Sequence, residues 1–295
     1  MAKSILITAT QCGSGKTTLA LGLIPLLKSS LGKIGYFKPI GRRGCNGCDP
    51  DVLLIKEALG LNSSVEEMSP VSMDQVQQAL GNGTYDDILD KIIEAHQELA
   101  ATCDFIICEG TDYSDSMSTF EFDINVDISK NLSAPILLAV NGADCSGSCC
   151  SCKAVKSIAL AKGRFDEKGC EILGVVINQI DPDKATAIGE KASKAIEKLG
   201  TQLLGIIPTN DLLQKLLVRE VVEALGTEVI AGADNLDTVV QEVAVAAMSV
   251  ENMLEHLPRG ALVMVPGDRD DALLGLAGAY ASRSVPAPSG VVLAC

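Results

Sequence analysis

The segment Ile5-Leu-Ile-Thr-Ala-Thr-Gln-Cys-Gly-Ser-Gly-Lys-Thr-Thr18 sets an apolar run, a glycine-rich turn and a lysine–threonine pair in direct succession. Those residue types in that order can hold phosphate. Glycines let backbone N–H groups point inward, Lys16 can reach the β- and γ-phosphates of a nucleotide, and the Thr17 hydroxyl can ligate Mg²⁺. The positive end of the following helix adds to the attraction. Gly13, Ser14, Gly15, Lys16, Thr17 and Thr18 are therefore the expected phosphate-binding residues, with ATP and Mg²⁺ as the expected cofactors. Thr10 stands where the usual first glycine would be, so this is a variant P-loop.

Three further features supply charge. Asp104-Phe-Ile-Ile-Cys-Glu-Gly110 reads as a buried strand ending in an acid, which puts Glu109 where a carboxylate can hold Mg²⁺ directly or through water. Tyr36-Phe-Lys-Pro39 ends a second strand with Lys38, which joins Lys16 as an expected catalytic residue that stabilises transferred charge. Asp49-Pro-Asp51 heads an apolar helix; Asp49 reads as its N-cap with Pro50 at the first helical position, and Asp51 as a second metal carboxylate.

Eleven cysteines are an odd number in a chain whose first residues already read as a strand and not as an export signal, so a disulfide framework is not expected. Cys12, Cys103, Cys108, Cys170 and Cys295 are isolated. Cys45 and Cys48 form a Cys-x-x-Cys pair, and Cys145, Cys149, Cys150 and Cys152 crowd a Ser/Gly-rich stretch. Soft thiolates at such spacing suit zinc or an iron–sulfur cluster. Against that, some of them are closer together than usual ligand spacings, and cysteine is a common small buried residue.

Positioning these groups falls to alternating strands and helices. Strands are predicted at 4–9, 34–39, 105–109, 136–140, 172–178 and 203–207, and helices at 16–29, 50–59, 85–100, 153–164 and 182–199. The strands are near-continuous Ile/Val/Leu runs, the pattern of strands covered on both faces. Their alternation with helices implies an α/β fold with a parallel sheet, and ligands in such sheets bind beyond the carboxyl ends of the strands. The P-loop and the segments after Pro39, Glu109 and Val140 should share that rim. The pattern changes near 208–211, giving an expected nucleotide-binding domain at 1–210 and a smaller α/β domain at 211–295. In the latter, helices are predicted at 213–225, 236–248 and 271–282 and strands at 261–265 and 290–294. Residues 233–236, 248–249 and 266–270 are expected to gather there as a regulatory or dimerisation surface, with Asp268 and Arg269 as an alternative simple ion pair.

Composition narrows the partners. A formal charge of −14 argues against nucleic acid or an anionic membrane, and the absence of Trp, with five Phe and four Tyr, leaves few platforms for stacking bases. No apolar run approaches the ~18–20 residues of a membrane span, so a cytoplasmic location is expected.

Taken together, the Ala9–Thr18 loop, Lys38-Pro39, Glu109-Gly110, Val175-Val-Ile-Asn178 and Leu204-Gly-Ile-Ile-Pro208 resemble dethiobiotin synthetase-like P-loop proteins, relatives of cobyrinate amidases. The resemblance implies a P-loop NTPase fold over residues 1 to about 210. It also implies that Lys16 and Thr17 hold phosphate and Mg²⁺, that Asp51 and Glu109 complete the metal shell, and that Asn178 hydrogen-bonds the base. Arg219-Glu220, Ala233-Asp-Asn-Leu236, Ala247-Met-Ser249 and Val265-Pro-Gly-Asp-Arg-Asp270 resemble the opening of a DRTGG domain. That pairing is similar to the region preceding the catalytic domain of long phosphate acetyltransferases. By that likeness the chain is a stand-alone form with a short or truncated second domain, and the acetyltransferase activity is not carried over. Gln11, Cys12 and Gly13 replace acidic residues of the dethiobiotin synthetase loop, and Thr111 to Asp115 replace its small residues, so the substrate end departs from the family.

Three readings stay open. One is an ATP-binding regulatory or sensory protein, with a homodimer as one arrangement. Another is an ATP-dependent ligase that phosphorylates a carboxylate or carbamate. The third is a nucleotide-linked iron–sulfur or zinc protein.

Overall fold

The computed structural model describes residues 2–42, 44, 47–111, 118–143, 153–282 and 285–294. The chain divides into two compact units, Met1–Thr209 and Asn210–Cys295.

The first unit begins with β1 (Lys3–Ala9), α1 (Lys16–Leu31), β2 (Ile34–Phe37) and β3 (Ile40–Gly41). It continues through α2 (Pro50–Leu59), α3 (Val65–Met68), β4 (Val71–Ser72), α4 (Met73–Asn82), α5 (Tyr85–Ala100) and β5 (Phe105–Glu109). It closes with α6 (Ser118–Asn131), β6 (Ile136–Asn141), α7 (Lys153–Glu167), β7 (Ile172–Ile180), α8 (Ala185–Glu197) and β8 (Leu203–Pro208). Six strands form one sheet in the order β2-β5-β1-β6-β7-β8, every pairing parallel, while β3 and β4 make a short separate pair. All six predicted strands of this region are in the sheet.

Side chains alternate across the pleat and so feed two cores. On β1, Ile5, Ile7 and Ala9 join a cluster with Leu19, Ala20 and Ile24 of α1, Val52 and Ile55 of α2 and Met68 of α3. Leu6 joins the larger cluster built with α4 to α8, where Ile92, Ile124, Ile128, Ile158 and Ile196 are fully buried. Each such side chain contributes about 2 kcal/mol of transfer free energy. Two short helices start with reciprocal caps: Ser64 with Glu67 on α3, and Ser72 with Gln75 on α4. These helices, like α6, were not predicted.

The second unit holds α9 (Val218–Leu225), β9 (Glu242–Val245), α10 (Val250–Glu255), β10 (Ala261–Pro266), α11 (Asp270–Ala281) and β11 (Gly290–Ala294). Its sheet is three parallel strands in the order β11-β10-β9, with Ala261, Val263 and Val265 packed on Met253, Leu257, Ala272 and Leu276. The fold is thus α/β in both units. One expectation is corrected: residues 236–248 are not helical but contain β9. Val239, Val240 and Val243 satisfy a helical spacing, but β-branched residues suit strands: Val239 bridges Leu217 and Val243 pairs with Leu262 of β10. A second correction concerns Arg269, which pairs with Asp271 at 2.7 Å and not with Asp268. Its guanidinium also donates to the carbonyls of Ala246 (3.2 Å) and Met248 (3.0 Å), joining the 246–248 and 266–270 segments. The 233–235 turn is tied elsewhere, by the Arg219 N–H to Leu236 O at 2.9 Å. No helix among the described residues is long and apolar enough to cross a membrane.

One buried group makes stability depend on pH. His96 on α5 lies edge-on to Phe37, with its Nε2 2.9 Å from Ser4 Oγ. Burial lowers its pKa from 6.5. A base with a depressed folded pKa stabilises the fold fully above its unfolded pKa and loses that contribution as pH falls, because the unfolded chain binds the proton more readily. Urea midpoints should therefore drop between pH 7.5 and 5.5. In His96→Gln the slope over that window should be shallower.

Candidate functional site

The register of the sheet builds the site. β1 pairs with β5 so that Ile7 lies beside Glu109, and the Gly110 N–H donates to Ile7 O at 2.9 Å. Glu109 thereby reaches the rim two residues before β1 gives way to the P-loop. The loop turns through Gly13 (φ 70°) and Gly15 (φ 81°), left-handed conformations that favour glycine, and Gly15 is the N-cap of α1. Lys16 follows as the first residue of the helix and is buried. Across the rim, the Thr17 hydroxyl donates to Glu109 Oε1 at 2.9 Å.

Glu109 is only 2% exposed and is held from a second side: the Tyr36 hydroxyl donates to its Oε2 at 2.8 Å. Burial, then Glu109, pushes the Tyr36 pKa well above its ordinary value, so the phenol keeps its proton and stays a donor. Lys38, two residues on, falls on the same side of the extended chain, as period-two alternation requires. Its ammonium contacts Asp49 at 3.1 Å, Asp51, and Glu109 at 3.9 Å. Burial opposes the charge on Lys38, but Glu109, Asp51 and Asp49 together outweigh it, and its pKa is raised. Burial pushes the Glu109 carboxyl up against the opposing pull of Lys38 and Lys16. A carboxylate under that penalty gains strongly from an added cation.

Asp49 does more than cap a helix. Its Oδ1 accepts from the N–H groups of Asp51 (2.9 Å) and Val52 (3.2 Å), and its Oδ2 from the Arg42 N–H at 2.6 Å. The cap fixes the carboxylate, and the carboxylate fixes Lys38. Asp51 reaches the cluster through Lys38.

From the far side, Asn178 and Gln179 close on the loop. The Asn178 amide donates to Ser14 O at 3.0 Å, and the Gln179 amide to Gly13 O at 3.0 Å. Asn178 therefore already has a duty on the phosphate loop, which the expected contact to a base would have to share. The structure gathers Lys16, Thr17, Lys38, Asp51, Glu109 and Asn178, the residues expected from sequence, around this rim, and adds Tyr36 and Gln179, which were not expected. The i, i+2 relation of Tyr36 and Lys38 was the readable signal for the first.

The donor set suits a hard cation: a hydroxyl and a carboxylate oxygen at 2.9 Å, both on the P-loop rim. Among the described residues no three His, Cys, Asp or Glu side chains are grouped to cage a metal by themselves, so Mg²⁺ here would need oxygens from a bound phosphate or water. Of the expected soft-metal ligands, Cys45, Cys145, Cys149, Cys150 and Cys152 lie outside the described residues. Cys48 is half-buried, its carbonyl accepting from the Gly44 N–H at 2.9 Å.

A strand-to-helix glycine loop facing a strand-end acid defines a P-loop NTPase-like domain, and the chain belongs to the AAA domain family, whose model matches residues 3–216. A DRTGG domain model matches residues 220–295. The chain is 33% identical to a phosphate acetyltransferase of Synechocystis sp. over 99% of its own length and 42% of that protein. It is 31% identical to a phosphate acetyltransferase of Nitratidesulfovibrio vulgaris, with the same two coverages, 99% and 42%. The region matched is the N-terminal part of these long enzymes, so the chain spans under half the length of the curated relatives it matches. Among solved structures, the MinC:MinD cell division protein complex of Aquifex aeolicus is a distant match, with 18% identity and a TM-score of 0.46 over 72% of this chain and 84% of that one.

The two loop glycines separate backbone strain from crowding. A Cβ on Gly13 meets nothing within 4 Å, whereas one on Gly15 would lie 2.2 Å from Asn178 Nδ2. Gly13→Ala should cost about 1 kcal/mol, the left-handed backbone term alone. Gly15→Ala should cost at least about twice that, since Asn178 must also leave Ser14. Denaturant unfolding of the two variants beside wild type measures the difference.

Proposed function

We propose that the first unit binds ATP with Mg²⁺ and that the chain is a regulatory or sensory protein related to the N-terminal part of phosphate acetyltransferases. The observation that carries the nucleotide reading is the Thr17–Glu109 contact at 2.9 Å directly beside Lys16. Thr17 and Glu109 would hold the ion, and Mg²⁺ when bound would supply positive charge to neutralise the phosphate. Lys16 would neutralise phosphate charge, and the loop N–H groups would orient it. Asn178, at the end of β7, would share its amide between Ser14 and the base. The regulatory reading draws on the second unit, which matches a DRTGG domain, and on the uncharged Gln11, Cys12 and Gly13 that replace acids of the dethiobiotin synthetase loop.

A second reading has its own support. Lys38 is only 4% exposed and faces three carboxylates on the P-loop rim, a costly arrangement for a protein that merely binds nucleotide. An ATP-dependent ligase would use Lys38 with Lys16 to stabilise charge on the phosphoryl group in flight. Incubation with ATP and candidate amines or carboxylates, followed by mass spectrometry, distinguishes the two: a phosphorylated or cyclised product supports the ligase.

Calorimetry tests the shared premise. Wild type should bind ATP with Mg²⁺ and lose most affinity on chelation. Lys16→Ala should weaken binding by about 100-fold or more, the loss of a charge-assisted contact worth about 3 kcal/mol. Glu109→Gln should retain binding with a weaker dependence on Mg²⁺. Equal affinity in wild type and Lys16→Ala would sink the nucleotide reading.

A further inference from the structure

Gln179 has a backbone that an ordinary strand residue does not adopt. Its φ is 62°, in the left-handed region, and it is not a glycine. Such a position is strained and persists where surrounding contacts hold it. Here the contacts are specific. The Gln179 N–H donates to Asn178 Oδ1 at 2.9 Å, its side-chain Nε2 to Gly13 O at 3.0 Å, and its Oε1 accepts from Asn141 Nδ2 at 2.7 Å. Asn141, the last residue of β6 and the register partner of Asn178, is fixed in turn by the Ala143 N–H on its Oδ1 at 2.8 Å.

The left-handed turn has a geometric consequence. In a continuing strand, residues 178 and 179 would point to opposite faces. Breaking the alternation at Gln179 brings both amides to the P-loop, Asn178 onto Ser14 O and Gln179 onto Gly13 O. A trans peptide is planar, with its C=O and N–H pointing in opposite directions. Holding the carbonyls of Gly13 and Ser14 on the β7 side therefore aims the N–H groups of Ser14 and Gly15 away from it. The Ser14 hydroxyl does the same for the first peptide of the loop, donating to Gln11 O at 2.8 Å and so orienting the Cys12 N–H. Consecutive N–H groups turned to one side make an anion-binding concavity.

We infer that Gln179 is a positioning residue for phosphate: with Asn178 it forms a two-amide clamp that turns the loop N–H groups toward a bound phosphate. Asn141 keeps the Gln179 side chain in place. This rests on the nucleotide reading for its ligand, but the clamp itself is a property of the protein alone and can be tested without nucleotide.

Three variants separate the clamp from general stability. Gln179→Gly accepts the left-handed backbone without strain and removes the amide. Gln179→Glu keeps the shape and the acceptor for Asn141 but has no N–H for Gly13 O. Asn141→Ala removes the support. Hydrogen exchange in the 10–18 segment of the nucleotide-free protein should accelerate up to about tenfold in Gln179→Gly and Gln179→Glu, the equivalent of one hydrogen bond, and less in Asn141→Ala. The melting temperature of Gln179→Gly should match or exceed that of wild type. Affinity for ATP with Mg²⁺ should nevertheless fall about three- to tenfold in both Gln179 variants. A residue with a merely structural role would lower melting temperature and affinity together. Unchanged exchange in both Gln179 variants overturns the clamp. If exchange accelerates while wild type and both variants bind ATP equally, the role in phosphate binding is overturned and the nucleotide reading stands. If exchange accelerates and wild type binds no ATP, the nucleotide reading fails and phosphate is lost as the ligand, with the loop-holding role supported.

Discussion

The pairing of β1 with β5 is the constraint on which the rest of the first unit depends. A strand slipped by one residue turns its entire buried set to the opposite face. Here the register sets Ile7 beside Glu109 and makes Ile7 and Ile107 part of one core, with Leu6 and Ile106 part of the other. The same register delivers the Glu109 carboxylate to Thr17 at the head of α1. Packing and chemistry are therefore set by one choice. The apolar alternation that makes the sheet fold correctly is also what brings an acid from residue 109 to a hydroxyl at residue 17.

The rim carries a concentration of buried charge that packing alone would not favour. Removing ions from water costs several kcal/mol each, and a buried pair returns that only with good geometry and full hydrogen bonding. The cluster meets that condition. Asp49 is held by three backbone N–H groups, Glu109 by two hydroxyls, and Lys38 by Asp49 and Asp51 with Glu109 nearby. Each polar group there is oriented by an element end: the cap of α2, the end of β5, the start of α1. Loop positions alone would hold such a network less firmly than these rigid termini do.

Much of this was legible in the residues. The continuous Ile/Val/Leu runs marked the six strands of the large sheet, and Gly-Ser-Gly-Lys-Thr-Thr between a strand and a helix marked the phosphate loop. The misses have physical causes. Phe120, Phe122, Ile124, Val126 and Ile128 recur at every second residue, the period of a strand, yet lie within α6 because burial around most of the helix removes the need for a polar stripe. The helix α4 did announce itself through Ser72 and Gln75, a cap pattern easily overlooked before a mostly polar segment. In the second unit, Val239, Val240 and Val243 fit a helical spacing over a short run, and only their distant partners, Leu217 for Val239 and β10 for Val243, resolve them as extended. Gln179 left no signal at all, because a left-handed residue at a strand end is chosen by contacts with Asn141, Asn178 and Gly13, which are distant in sequence or set by the turn itself.

The loop and the cluster together show where the protein has invested in rigidity. On one side of the P-loop, carbonyls 13 and 14 are held by side chains from the end of β7; on the other, Thr17 is held by Glu109, and Glu109 by Tyr36. A preorganised set of donors gains its full electrostatic effect because it need not reorganise when charge arrives. The side chains along the first part of the loop are chemically plainer: Cys12 is exposed, and Gln11 and Gly13 carry no charge. The carbonyls of Gln11 and Gly13 are thus held within the loop, while their side chains carry none of the acids of the dethiobiotin synthetase pattern. A loop held in that way can change the side chains at Gln11 and Cys12 without disturbing the backbone groups that its neighbours fix.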